Sequence, residues 1–169
     1  MPAKRTIASW LLLVPVLVLS SWLAIRALNA DAFWYDEVLS VWRAGEARYG
    51  GPLSISEVWE RSTADAFQMP VYYLSLAAWG NFVGLTEFGG RSLSFFAGLL
   101  SIAMTYRLGR DLGSAKVGLA AAVVMGTSAI VIHYMHELRA YAFYLLFTTV
   151  ATWTYWRFIT ARRSAKQLA

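Results

Sequence analysis

Two short segments of this sequence combine acidic, basic and aromatic side chains in a way that could support proton transfer. In residues 34–37, the adjacent carboxylates Asp36 and Glu37 follow a tryptophan and a tyrosine. Much further along the chain, Glu137 follows a histidine and stands two residues before Arg139. A carboxylate can accept a proton from a reacting hydroxyl group, and an arginine can bind a phosphate through two parallel hydrogen bonds. The segments therefore predict a site for acid–base chemistry if the fold brings them together.

The charged residues also have simpler structural interpretations. Asp36 could cap a helix, and Glu37 would then favour the positive end of the helix dipole. Glu137 could form a local ion pair with Arg139 or remain a solvated loop acid. Spacing alone leaves these alternatives open.

The two histidines of the chain, His133 and His136, stand three residues apart beside Glu137. This spacing would allow the three side chains to hold a metal ion. The simpler interpretation is that the histidines are polar rings at the level of lipid headgroups, where tyrosine and tryptophan also concentrate.

The composition points to a membrane protein. Of the 169 residues, 58% are hydrophobic and only 15% are charged, whereas a soluble domain carries about a quarter charged residues. A soluble monomeric enzyme is therefore excluded. The absence of cysteine excludes a disulfide framework, a cysteine-ligated metal site and a thiol nucleophile. The net charge of +5 comes from bases at the ends of apolar segments, which fits membrane topology and gives no reason to expect nucleic acid.

Hydrophobic runs predict an all-α integral membrane bundle. Four spans are expected, at residues 7–25, 91–108, 117–134 and 140–158. The first is longer than a signal-peptide core, so it is interpreted as a retained anchor. The outer loop, residues 26–90, should carry amphipathic helices lying on the membrane at residues 37–49, 55–63 and 70–85.

Charge asymmetry sets the expected orientation. With these four spans, the cytoplasmic parts hold nine bases and one acid, and the outer parts hold six bases and nine acids. Bases concentrate in short cytoplasmic loops. We therefore expect a multi-pass protein of the plasma or inner membrane with both termini in the cytoplasm and with residues 70–85 on the outer face.

Five segments resemble motifs of the GT-C fold glycosyltransferases that use polyprenyl-phosphate sugars, the superfamily of protein O-mannosyltransferases and aminoarabinose transferases. Residues 34–37 resemble the Asp-Glu motif of the first outer loop. Residues 136–142 (His-Glu-Leu-Arg-Ala-Tyr-Ala) resemble the Gln-Glu-Ala-Arg-Met-Tyr-Ala motif of bacterial members. The other three segments are residues 68–74, 91–94 and 108–113. The five occur in the family's order and cover about residues 33 to 158.

The resemblance implies an inverting transfer of a sugar from a polyprenyl-phosphate donor to an acceptor on the outer face. It implies catalytic carboxylates at Asp36, Glu37 and Glu137, with Asp36 as the base and Glu137 orienting the acceptor. No cofactor is certain, and a divalent cation at Asp36 and Glu137 is the one candidate. Arg91 and Arg139 would bind the donor phosphate. The expected substrate-binding residues are Tyr35, Gln68, Tyr72, His136 and Tyr141.

The chain departs from the family pattern in two ways. Gln68 and Met69 replace the usual His-Pro, which removes any role carried by that histidine. Family enzymes are also far longer, so this chain would supply only the amino-terminal module. It would then be a fragment, a truncated gene product, or half of a split enzyme whose second chain provides the missing spans. Alone it is expected to have little activity. Two other classes of function stay open, namely a small transporter or channel component and a non-catalytic membrane scaffold.

Overall fold

The computed structural model describes residues 10–26, 28–45, 52–64 and 69–167, with side chains as far as Ala161. Within these ranges the chain forms eight helices and no strand, so the prediction of an all-α fold is confirmed for this part of the protein. In chain order the helices are α1 (Val14–Ile25), α2 (Tyr35–Ala44), α3 (Ile55–Thr63), α4 (Pro70–Val83), α5 (Glu87–Leu112), α6 (Ala115–Gly126), α7 (Ala129–Met135) and α8 (Tyr141–Gln167).

Short polar and glycine signals fix where the helices of the outer loop begin and end. Ser54 and Glu57 form a reciprocal capping box at the start of α3. The Thr86 hydroxyl accepts a hydrogen bond from a backbone N–H in the first turn of α5. Helices α2 and α4 end at Gly45 and Gly84, whose φ angles are +87° and +78°. Glycine adopts such angles without the steric cost of a Cβ atom, so it stops both helices.

Helix α5 is the central element of the fold and packs against α1, α4, α6, α7 and α8. Its contact with α6 is closest at Gly109 and Gly118, where a Cβ atom added to Gly109 would lie 2.8 Å from the Gly118 Cα atom. The two backbones can approach this closely only because neither residue has a side chain.

Two clusters of buried apolar side chains lie along the bundle. The first joins the outer-loop helices to the start of α8 and includes Val41, Val58, Tyr72, Tyr73, Leu76, Leu138 and Phe143. The second joins α1 to α5, α6 and α7 and includes Leu13, Ala24, Leu28, Phe95, Ile102, Tyr106, Ala122 and Met135. The segment between α7 and α8 therefore connects the two clusters, since Met135 belongs to one and Leu138 to the other.

The predicted span at residues 117–134 is not one straight helix. Helices α6 and α7 meet there at an angle of 66°. At the break, the Ser20 hydroxyl of α1 donates a hydrogen bond to the Gly126 carbonyl at 2.8 Å, and the Thr127 hydroxyl donates to the Val123 carbonyl. Polar side chains that bond to the last carbonyls of a helix are a recognised cause of a bend.

Tested on length and apolar composition together, none of the helices in the described ranges qualifies alone as a membrane span, although α6 and α7 qualify as one bent pair.

The close approach of α5 and α6 generates a stability prediction. Replacing Gly118 with valine should lower the free energy of unfolding by about 1–3 kcal/mol, because the new side chain would meet the backbone of α5. Ala120→Val, at an exposed position of the same helix, is the matched control. Thermal unfolding of both variants in detergent measures the effect, and equal midpoints would contradict this account of the crossing.

Candidate active site

The amino end of α2 places Glu37 inside the protein. Trp34 has extended backbone angles, and its N–H donates to the Glu37 Oε2 atom at 3.4 Å. The carboxylate of Glu37 therefore turns back over the start of its own helix. Its side chain is completely buried, which is rare for an acid unless a partner compensates its charge.

That partner is Arg91, in the first turns of α5. The Arg91 Nε and Nη2 atoms donate to the two oxygens of Glu37 at 2.9 and 2.7 Å, which is a bidentate pair. The Leu138 N–H donates to Glu37 Oε1 at 2.7 Å. Charge-assisted bonds of this kind are about twice as strong as neutral ones. A single carboxylate thus joins α2, α5 and the segment between α7 and α8.

The remaining donors of Arg91 bind the backbone of the loop that precedes α2. Nη1 donates to the carbonyls of Leu28 and Asp31 at 3.2 and 2.9 Å, and Nη2 donates to the Ala32 carbonyl at 3.4 Å. All five N–H groups of this guanidinium are therefore engaged. Sequence reasoning expects Arg91 to bind the donor phosphate, but here it would have to give up one of these bonds to do so.

The second predicted pair, Asp36 and Arg139, lies closer to the surface. The Arg139 Nη2 atom is 3.6 Å from Asp36 Oδ2, and Nη1 donates to the Asp36 carbonyl at 3.2 Å. The Asp36 side chain is one-third exposed. The residue in the cap position of α2 is Trp34, so Asp36 lies in the first helical turn instead of capping it. Its carboxylate is therefore partly accessible from solvent, although it is paired with Arg139.

Glu137 pairs with a histidine of the preceding helix. The His133 Nε2 atom lies 3.0 Å from Glu137 Oε1. Burial raises the pKa of Glu137, and the charge of His133 acts in the opposite direction. Burial and the neighbouring His133 lower the pKa of His136. Both shifts favour the uncharged forms of these side chains, as expected for groups withdrawn from water.

An open pocket of about 470 Å³ is lined by Glu37, Arg91, Glu137 and the two histidines, but not by Asp36 or Arg139. Its wall contains three carboxylates, one guanidinium and both histidines, together with a tryptophan ring. The lining residues are Asp31, Ala32, Trp34, Glu37, Arg91, His133, His136 and Glu137. Asp31, Trp34 and His133 were not among the predicted catalytic or substrate-binding residues. Their closeness to the motif residues in the sequence is the one signal that could have suggested them.

The other predicted substrate-binding residues are placed differently. Tyr35 is 75% exposed, and Tyr141 stacks on Tyr134 with ring centres 4.5 Å apart. Tyr72 is completely buried in the apolar core, in edge contact with Phe143. A substrate would reach Tyr72 only if that core opened. Gln68 lies outside the described residues.

The two candidate cation ligands, Asp36 and Glu137, each pair with a different basic side chain. Asp36 is paired with Arg139, whereas Glu137 is paired with His133 and lines the pocket. Among the residues described, no group of three or more acidic or histidine side chains is arranged to hold a metal ion.

The buried pair generates the sharpest stability prediction at this site. Glu37→Gln should cost about 3–5 kcal/mol of unfolding free energy, because it leaves the Arg91 charge buried without its counter-charge. A helix-start acid at the surface contributes only about 0.3–1 kcal/mol through the helix dipole.

The chain contains a matched control for this substitution. Glu57 occupies the same capping-box position in α3 but is exposed to solvent. Glu57→Gln should therefore shift the unfolding midpoint much less than Glu37→Gln does. Similar shifts in the two variants would show that Glu37 acts only as a capping residue.

No protein-family model, curated protein sequence or solved structure matches this chain.

Proposed function

We propose that the chain is the amino-terminal catalytic module of a membrane glycosyltransferase that transfers a sugar from a polyprenyl-phosphate donor to an acceptor on the outer face. The observation that carries the proposal is the convergence at Glu37. Residues 34–37 and 136–141, the two segments predicted to do chemistry, meet there although they are far apart in the sequence. They meet beside an open pocket with acidic and basic side chains in its wall.

The charge distribution along α5 supports the membrane part of the proposal. Arg91 lies near one end of this helix and Asp111 near the other, about 30 Å apart at a rise of 1.5 Å per residue. No charged residue lies between Arg91 and Arg107. This uncharged stretch is about 24 Å long, and the long arginine side chains at its two ends can reach the headgroups of a bilayer whose hydrocarbon layer is about 30 Å thick.

The outward-facing side chains support the same placement. Large apolar residues are exposed on several helices around the bundle, which is costly in water and favourable in lipid. Those on α1, α5, α6 and α8 include Val18, Leu19, Trp22, Phe96, Leu100, Val123, Val124, Tyr144 and Phe147.

In the proposed reaction, the acceptor hydroxyl oxygen attacks the anomeric carbon of the donor sugar. The Asp36 carboxylate takes the hydroxyl proton as the new bond forms. The bond between the anomeric carbon and the phosphate oxygen breaks, and the polyprenyl phosphate leaves with the electron pair. Arg139, whose Nη2 atom lies 3.6 Å from Asp36 Oδ2 before the substrates bind, turns its flexible side chain to the phosphate side of the sugar and stabilises the negative charge of this leaving group. Attack from the face opposite the phosphate inverts the anomeric configuration.

We assign the other motif residues to two roles. Glu37 and Arg91 are positioning residues, because their hydrogen bonds to each other and to the backbone hold the Asp36 segment against α5. Glu137 lines the pocket with a raised pKa, so it suits a carboxyl group that orients the acceptor. The phosphate-binding role expected of both arginines is thereby assigned to Arg139.

A substitution at Asp36 tests the chemistry in the complete enzyme, either as a longer chain or as a reassembled pair. Asp36→Asn should reduce the rate of sugar transfer by about 10²–10⁴-fold, because the amide cannot accept the proton. Transfer of label from a polyprenyl-phosphate sugar is the measurement, at matched protein level.

Two comparisons sharpen this test. Glu57→Gln, on the exposed face of α3, should leave transfer unchanged. Arg139→Lys should weaken catalysis, because lysine keeps the charge but loses the planar fork that fits a phosphate. Near-normal turnover of Asp36→Asn would remove Asp36 from the base role, and a complete enzyme without any transfer would favour a transporter or scaffold.

The membrane orientation has its own test. Reporter fusions at Asp111 and Leu168 should report the cytoplasm, and a fusion at Ala64 should report the outer side, because bases predominate at the first two positions. An outer location at Asp111 or Leu168 would contradict the four-span arrangement.

A further inference from the structure

A second ionic cluster lies at the end of α5 opposite the candidate active site. Three arginines surround one acid, Asp111. The Arg107 Nε atom is 3.2 Å from Asp111 Oδ2, the Arg157 Nη1 atom is 3.8 Å from Oδ2, and the Arg110 Nε atom is 4.0 Å from Oδ1. The indole N–H of Trp153 donates to Oδ2 at 3.0 Å. The cluster therefore carries an excess of two positive charges.

Asp111 does not satisfy the donors around it. The Arg107 Nε atom is buried and, despite its closeness to Asp111, has no hydrogen-bond partner within the described residues. The contacts from Arg110 and Arg157 are longer than hydrogen bonds. The buried Nε atom itself is out of reach of an external ligand, but Arg110 and Arg157 carry further N–H groups that Asp111 does not bind, and these can donate to an additional anion with several oxygens.

Aromatic rings hold two of the guanidinium groups in place. Arg107 lies over the Trp153 ring at 5.6 Å from its centre, and Arg110 lies over Trp10 at 5.3 Å. Stacking of this kind fixes the plane of a guanidinium and leaves its N–H edges available for an anion.

Apolar side chains are exposed on the membrane side of the cluster. Leu100 of α5, two turns before Arg107, is 56% exposed, and Tyr155 of α8 is 67% exposed. A ligand with a phosphate at one end and hydrocarbon chains at the other would match both features. Aqueous phosphate compounds would use only the arginines.

We propose that the cluster of Arg107, Arg110 and Arg157 binds the phosphate of an anionic phospholipid, with the acyl chains lying along Leu100 and Tyr155. The site is about 30 Å along α5 from the pocket, at the opposite surface of the membrane in the proposed orientation. The inference rests on the proposed membrane insertion but not on sugar transfer.

The test uses the full chain purified in a neutral detergent and measures lipid binding by native mass spectrometry. The probes are phosphatidylglycerol and phosphatidylcholine with identical acyl chains. Phosphatidylglycerol should bind about 20-fold more tightly, since each arginine near a membrane surface favours an anionic lipid. Equal binding of the two lipids would overturn the proposal.

Variants with and without substitutions in the cluster distinguish lipid binding at this site from attraction to the positive charge of the whole protein. The double variant Arg107→Gln and Arg157→Gln should lose the preference for phosphatidylglycerol. Arg61→Gln is the matched control, because Arg61 also stacks on a tryptophan, Trp42, but lies in the outer loop. The control should keep the preference, and its loss in Arg61→Gln would contradict the assigned location.

Two further measurements test whether loss of binding reflects unfolding and whether the ligand is a lipid or a soluble phosphate. Arg157→Gln alone removes a side chain that is 58% exposed, so the protein should stay folded while the preference falls several-fold. Competition by inorganic phosphate at the concentration that the lipid requires would identify a site for soluble phosphate and overturn the lipid assignment. Sugar transfer is not measured in any arm, so these outcomes are independent of the proposed reaction.

Discussion

The arrangement of the outer end of this protein depends on the buried carboxylate of Glu37. A charge removed from water is costly unless its oxygens are fully engaged, and this one accepts from a guanidinium and from two backbone N–H groups. These donors come from three separate parts of the chain. The carboxylate therefore cannot be satisfied until α2, α5 and the segment before α8 have docked. The pocket wall beside Glu37 is therefore complete only when these three parts of the chain are packed together.

Helix α5 sets the distance between the Glu37–Arg91 pair and the arginine cluster around Asp111. Its polar ends are separated by a stretch without charge, and the partner helices follow the same division. At one end the arginine is saturated, since Arg91 gives every N–H group to the protein itself. At the other end three arginines surround one acid, and Arg110 and Arg157 lie too far from Asp111 for hydrogen bonds. The first arrangement suits a rigid support, and the second suits the binding of an external anion.

Much of the fold could be predicted from the sequence, because local signals decide it. The capping box at Ser54 and the proline at the start of α4 mark where those helices begin. The sequence allows residues 34–37 and the segment around Glu137 to converge, as acid–base chemistry would require, but does not decide it. What the sequence could not give is which of two adjacent acids turns inward. Neighbouring residues on a helix point about 100° apart, so Asp36 and Glu37 must differ, but only the docking of α5 selects Glu37.

Docking between distant parts of the chain also explains the other differences between the predicted and the observed site. The ligands of Arg91 are carbonyls in an irregular loop, and no pattern of side chains encodes the position of a carbonyl. The burial of Tyr72 depends on which face of α4 meets the core, and α4 is too uniformly apolar for its sequence to show this. The bend between α6 and α7 depends on a serine of α1 that is distant in the sequence.

The use of backbone carbonyls by Arg91 has an evolutionary consequence. A carbonyl is present whatever the side chain, so mutations at positions 31 and 32 can alter the pocket wall without removing a ligand of the arginine. The backbone carbonyls that hold Arg91 can therefore stay the same while the side chains that face the pocket change, although both belong to the same short loop. Descendants of this chain could change what the pocket accepts while inheriting an unchanged support.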